Sequence, residues 1–195
     1  MPLNAEVSFT WVGHGTWKVR SAKWKEIIID PWVMNNPVAP ENLKKVEKCD
    51  LMLITHGHFD HVHDALEIAK AQKPKIISNF EITSWLGSKG VDASTLIGGN
   101  TGGTIEVDGI KVTLVHAEHS CGITDGDTIV YGGNAHGLVI EFENGSPFTS
   151  PATPTSSATW PSSRSWASSM WPSCRSATFT RWALSARPRL WPCWE

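Results

Sequence analysis

Apolar and polar positions in the first 145 residues fall into short blocks whose period changes along the chain. "VSFTWV" (7–12), "TWKVR" (16–20) and "EIIID" (26–30) are β-rich runs separated by Gly-His-Gly and a polar turn, which predicts an antiparallel start. Asp30-Pro31 closes the third run. "PENLKKVEK" (40–48) reads as a short helix with Pro40 near its start, and "LMLIT" (51–55) as a buried strand. In "DALEIAKAQK" (64–73) the apolar positions Ala65, Leu66, Ile68 and Ala69 predict an amphipathic helix, with Asp64 as its N-cap. "KIISN" returns as strand, "FEITSWLGSKG" (80–90) is a helix ended by glycine, and "GTIEVDGIKVTLVHA" (103–117) is a hairpin turning at Asp108-Gly109. "DTIVYGG" and "HGLVIEFENG" are expected to pair with each other. Strands alternate first with turns and then with helices, so the fold class is α/β (α+β), with helices covering a sheet.

After Gly145 the composition changes. Residues 146–195 contain twelve serines and six of the eleven tryptophans, but no Gly, Val, Ile, Lys, Asp or His. A Ser/Pro-rich tract buries little aliphatic surface and reads as disordered, yet six tryptophans argue against a plain linker. A gene read out of frame accounts for both features. Shifted codons formed from the last base of one codon and the first two of the next allow A-G-D-T from residues 150–154. The same shift allows V-A-V-L-P-I-G-D-F-Y-T-M-G-P from residues 170–184, in which the first Val, the Ala and the Gly after Met are forced by the single codons of Met and Trp. The expected division is therefore a folded domain over 1–145 and a non-native tail over 146–195.

The chain carries a formal charge of −2, and residues 1–145 alone carry 12 basic and 18 acidic side chains, so no basic field for nucleic acid is present. No apolar run approaches the roughly 20 residues a membrane span needs. "MPLNAEVSFTW" lacks a basic region followed by an apolar stretch, so the cytoplasm is the expected compartment. Cys49, Cys121, Cys174 and Cys193 are far apart and without CxxC spacing, so they read as ordinary thiols.

The chemistry concentrates directly after "LMLI". His56, His58, Asp60 and His61 form H-x-H-x-D-H. Neutral imidazoles and carboxylates are the ligands zinc takes in hydrolytic sites. Four such groups in six residues cannot share one face of a regular strand or helix, but a loop leaving a strand's C-terminal end can turn them into one cleft.

With these residues the chain resembles the metallo-β-lactamase superfamily, whose defining motif this is. "TWVGHG", "IIIDPW…NNP", "THGHFDHVHDALEIAK", "IGG", "HAEHS" and "GLVIEFENG", in that order, are similar to a group of uncharacterised metal-dependent hydrolases related to phosphorylated-ascorbate lactonases. The resemblance covers residues 9–145 nearly continuously. It implies an αββα sandwich, here with an incomplete C-terminal half, and two divalent metal ions, zinc or alternatively manganese or iron. By the same resemblance His56, His58 and His119 would bind one ion, and Asp60 and His61 the second. Asp60 would also act catalytically, orienting the metal-activated hydroxide that attacks an ester, lactone or phosphoester of a small molecule. A bridging aspartate in A-G-D-T and an acidic residue in P-I-G-D belong to the family pattern. Both are spelled only by the shifted frame, and the chain as written contains neither.

Other residues carry weaker expectations. His14, between two glycines, and His136, after "GGNA", are candidates for the substrate pocket, each balanced by a plain turn or loop role. Asp30 could hydrogen-bond a ligand imidazole from behind, as metal histidines usually require, or merely cap a turn. His63 reads as peripheral, and His116 is the competitor of His119 within "HAEHS". The alternatives to a small-molecule hydrolase are a nuclease or phosphodiesterase on the same fold, or an inactive truncated fragment. Oligomeric state has no signature in the sequence.

Overall fold

The computed structural model describes residues 6–150. The tail from residue 151, with Cys174, Cys193 and nearly all of the segment read as out of frame, lies outside the described residues. Twelve strands and three helices follow one another in the described part.

The first sheet has six strands in sequence order. Strands β1 (Ser8–Gly13), β2 (Thr16–Arg20) and β3 (Glu26–Ile29) are antiparallel, as the opening pattern predicted. Then β4 (Leu51–Leu53), β5 (Lys75–Asn79) and β6 (Leu96–Gly99) run parallel to β3. Parallel strands need crossovers. Helices α1 (Phe59–Val62) and α2 (Ala65–Gln72) make the one between β4 and β5, and α3 (Phe80–Ser88) lies between β5 and β6. Buried on both faces, β3, β4 and β5 are continuous apolar runs rather than alternating ones. Ile28, Met52, Ile54 and Ile76 pack against Val62, Ala65, Ile68, Ile82 and Leu86 of the helices.

The opposite face carries Ile27, Ile29, Leu51, Leu53 and Ile77, which pack on a second sheet through Ile110, Val112, Leu114, Leu138 and Ile140. That sheet consists of β7 (Thr104–Val107), β8 (Ile110–His116), β11 (His136–Glu141) and β12 (Pro147–Ser150), in the order β12-β11-β8-β7. The β7–β8 hairpin turns at Asp108 and Gly109, both at positive φ (54° and 85°), as a two-residue type I′ turn requires. The described residues thus form an α+β arrangement of helices, sheet and sheet. Among them, all three helices cover the outer face of the first sheet.

Three local expectations are corrected. "DTIVYGG" does not pair with "HGLVIEFENG". Instead β10 (Thr128–Tyr131) folds back on β9 (Gly122–Asp125) as a separate hairpin, and β11 pairs with β8 and β12. Packing decides this, because Leu138 and Ile140 alternate inward beside Leu114 and Val112, whereas Ile129 and Tyr131 remain exposed. "PENLKKVEK" forms only a 3-10 turn at Glu41–Leu43. The Lys18 ammonium binds the carbonyls of Leu43 (2.6 Å) and Lys45 (2.7 Å), which a continuing helix would have used internally. Asp64 precedes α2 but does not cap it, because its buried carboxylate accepts the backbone N–H groups of Val33 and Met34.

Candidate metal centre

The strand β4 ends at Leu53, and the chain from Thr55 to His58 leaves the C-terminal edge of the parallel strands, where side chains of several loops meet. His56 and His58 lie on this loop. The next four residues form the single turn α1, which carries Asp60 and His61. His119 arrives from the loop after β8, 61 positions from His58 in sequence. It is brought there because β8 is held in the second sheet by β11.

The imidazoles of His56, His58 and His119 converge, each offering one nitrogen, with all three nitrogens within 4.8 Å of one another. His56 Nε2 lies 3.1 Å from His58 Nδ1, and His119 Nε2 lies 3.2 Å from the same atom. Two nitrogens bound tetrahedrally to one zinc ion at the usual bond length lie about 3.3 Å apart. His116, the competitor, is exposed and points to Glu118 at 2.9 Å, away from this group.

Hydrogen bonds behind the imidazoles decide which nitrogens are bare. Asp30 is fully buried and sits at φ +49°, a left-handed conformation that Asp tolerates better than most residues. Its Oδ1 accepts the Thr55 backbone N–H (2.7 Å), and its Oδ2 accepts the Thr55 hydroxyl (2.8 Å). A hydroxyl has one proton. Having given it to Asp30, the Thr55 Oγ1 must accept from His56 Nδ1, which is 2.9 Å away. His56 is therefore protonated at Nδ1, and its Nε2 lone pair faces His58. Asp30 Oδ2 also lies 2.9 Å from His61 Nδ1, so His61 likewise turns its other nitrogen outward, 3.5 Å from Asp60 Oδ2. One carboxylate thus orients two imidazoles, one directly and one through a threonine.

Burial, followed by the neighbouring imidazoles of His61, His58 and His119, depresses His56 to about 2, so it is neutral at any ordinary pH. His119 is lowered by burial and by His58 and His61. His61 behaves oppositely. Burial would lower it, but the hydrogen bond and charge of Asp30 outweigh that and leave it above its ordinary value. Asp30 is itself raised by burial, against the opposing pull of His61 and Thr55. A neutral His56 whose Nε2 lone pair faces the nitrogens of its neighbours has the donor chemistry a divalent cation requires.

The remaining expectations are placed as follows. His14 is exposed in the turn between β1 and β2, with φ +50° and its ring centroid 4.6 Å from Trp32. Its neighbour Gly15 lies against the ligand group, since a Cβ there would meet His61 Cε1 at 2.5 Å. His63 is exposed and bonds Asn35. His136 begins β11, not a loop, and is buried. Its Nε2 meets Thr101 Oγ1 at 2.8 Å and its backbone N–H reaches the Thr55 carbonyl, while its Nδ1 has no hydrogen-bond partner among the described residues. Burial holds it below its ordinary pKa. Cys49 and Cys121 are buried free thiols, and burial lifts Cys49 to about 12. Sequence reasoning missed Thr55, whose only signal is its position directly before the motif, and Ser120, whose hydroxyl lies 3.1 Å from His58 Nε2.

Residues 25–156 match the family model described as the β-lactamase superfamily domain. A UPF0173 metal-dependent hydrolase of Koribacter versatilis is 54% identical over 138 residues, covering 71% of this chain and 58% of that protein. One from Roseiflexus castenholzii is 44% identical over 146 residues, covering 73% and 60%. The chain therefore spans about three fifths of the length of these relatives. A metallo hydrolase from the hyperthermophilic archaeon Ignicoccus hospitalis superposes with a TM-score of 0.61 at 32% identity, covering 74% of this chain and 60% of that one. A diiron β-hydroxylase from Streptomyces venezuelae shares the fold alone, with a TM-score of 0.58 at 18% identity over 88% of this chain and 34% of that one.

Proposed function

Because this chain belongs to the β-lactamase superfamily domain family, we propose that it is the metal-binding part of a hydrolase in which His56, His58 and His119 hold one divalent cation, most simply zinc. Asp60 and His61 hold a second. The observation that carries this reading is the pair of nitrogen separations, 3.1 and 3.2 Å, about one shared atom of His58. Bound divalent ions supply a Lewis acid and lower the pKa of water toward neutrality.

The chain's own residues do the rest. Thr55 keeps the Nε2 of His56 bare, and Asp30 holds His61 by its Nδ1 side so that Nε2 is the nitrogen turned toward Asp60. Asp60, partly exposed beside His61 Nε2, accepts and orients a proton of the attacking water. The substrate is a small molecule with a carbonyl or phosphoryl centre, an ester, lactone or phosphoester, and the relatives named as metal-dependent hydrolases support the reaction class. Among the described residues no helix is long and apolar enough to cross a membrane.

Zinc titration of the full chain, followed by calorimetry after exhaustive chelation, tests the reading. At least one ion should bind per chain, and H58A should lose more than about a hundredfold in affinity, beyond the effect of removing a group that only orients a ligand. Binding of less than one ion, or unchanged binding by H58A, would overturn it.

A further inference from the structure

Four rings pack in a row, next in sequence or through Gly15 to residues of the histidine group. The His14 ring centroid lies 4.6 Å from that of Trp32, Trp32 lies 5.9 Å from Phe59, and Phe59 lies 4.4 Å from His63, all tilted or edge-on. The row adjoins the proposed ligands at two points. Phe59 stands in sequence between His58 and Asp60, and His14 adjoins Gly15, which packs on His61. Asn35 braces it, accepting from Trp32 Nε1 and donating to His63 Nε2, each at 2.7 Å. The rings are held in place yet still meet solvent. Phe59 is 49% exposed between the half-buried His58 and Asp60.

Flat rings held at the surface beside a reactive centre, here the apolar Trp32 and Phe59 flanked by the imidazoles of His14 and His63, are what a substrate's non-reacting part covers, since a planar group gains both burial and edge-to-face contact there. From this we infer that His14, Trp32, Phe59 and His63 form a specificity subsite for a flat, apolar acyl or leaving group, so that aryl or benzyl esters and ring-fused lactones fit better than small aliphatic ones. The inference rests on the hydrolase reading for the meaning of the subsite, but the rings can be probed without metal.

The experiment uses the metal-free full chain labelled with 5-fluorotryptophan, with the Trp32 resonance identified by its loss in W32F. Benzyl alcohol should shift that resonance saturably, at least about fivefold more tightly than cyclohexylmethanol, which has similar size but no flat face. In F59A, a change at a half-exposed ring, the benzyl alcohol affinity should fall about fivefold. Should W32F not fold, saturation transfer from protein to benzyl alcohol in wild type and F59A gives the same comparison. A Trp32 signal that does not move, equal response to the two alcohols, or undiminished binding by F59A overturns the subsite. None of these outcomes depends on zinc uptake, whose failure would remove the hydrolase reading instead.

Discussion

The inner and outer halves of the histidine group are built differently. His56 and His61 are buried, and each has its far nitrogen tied, through Thr55 or directly, to a carboxylate fixed at the end of β3. His58 and His119 are only half-buried and lie on loops; at His58 the far nitrogen meets one exposed hydroxyl, that of Ser120. The inner half has its geometry from folding alone. The outer half has the right place but fewer constraints, so the cation itself is expected to complete its order. Folding energy should therefore respond to changes in the inner half and metal affinity to changes in either.

The largest effect is expected for D30A. Removal of this carboxylate leaves the Thr55 N–H, the Thr55 hydroxyl and His61 Nδ1 without their buried acceptor. Urea unfolding of the metal-free chain should show a loss of about 3 kcal/mol, within the range for breaking a buried charged network. A loss below about 1 kcal/mol would mean that the inner half is not held from β3. Next comes T55V, which keeps the shape but breaks the relay to His56. Zinc affinity should fall by about 10- to 100-fold, the usual cost of losing a group that orients a ligand. If H58A and T55V weakened zinc equally, the distinction between ligand and relay would fail.

The inner half also predicts a pH dependence. His56 is depressed to about 2 in the folded chain, against about 6.5 for an unperturbed histidine. Below pH 6.5 the unfolded chain takes up a proton there that the folded chain refuses, so stability is full above that pH and falls as acid is added. The slope from this residue alone approaches 1.4 kcal/mol per pH unit. His119 and His136, lowered as well, act in the same direction, and His61, raised, acts against it. The metal-free urea midpoint should drop from pH 7 to pH 5, and H56N should flatten that drop. A midpoint that rises over this interval would contradict the burial of a neutral His56.

How much of this was legible in the sequence depends on how local each feature is. H-x-H-x-D-H is one continuous stretch, and the apolar runs of β3, β4 and β5 announce a sheet buried on both faces, so the motif and the sheet could be read directly, although the structure divides the motif between a loop with His56 and His58 and the turn α1 with Asp60 and His61. The hairpin at Asp108-Gly109 was equally clear from turn chemistry. His119 is different. Its place depends on β8 pairing with β11, a register set by core packing, and only the family resemblance pointed to it. The β9–β10 hairpin was missed because each strand is four residues long and β9 has a single large apolar side chain, Ile123. Thr55 could not be read at all, since its importance comes from which way one hydroxyl proton points.

The smallest effect should come from the outer half. Ser120 Oγ lies 3.1 Å from His58 Nε2, in the same relation that Thr55 has to His56, but Ser120 is exposed whereas Thr55 is not. In S120A a water can take the place of the hydroxyl at little cost, because ordered water bonds an imidazole nearly as well as a side chain does. Zinc affinity should fall by less than about tenfold, and the urea midpoint should not move. Equal losses for S120A and T55V would show that the loop after β8 is as rigid as the end of β3, and the contrast between the two halves would disappear. A small loss for S120A beside a large one for T55V would place the constraint on the metal centre in the sheet, at Asp30.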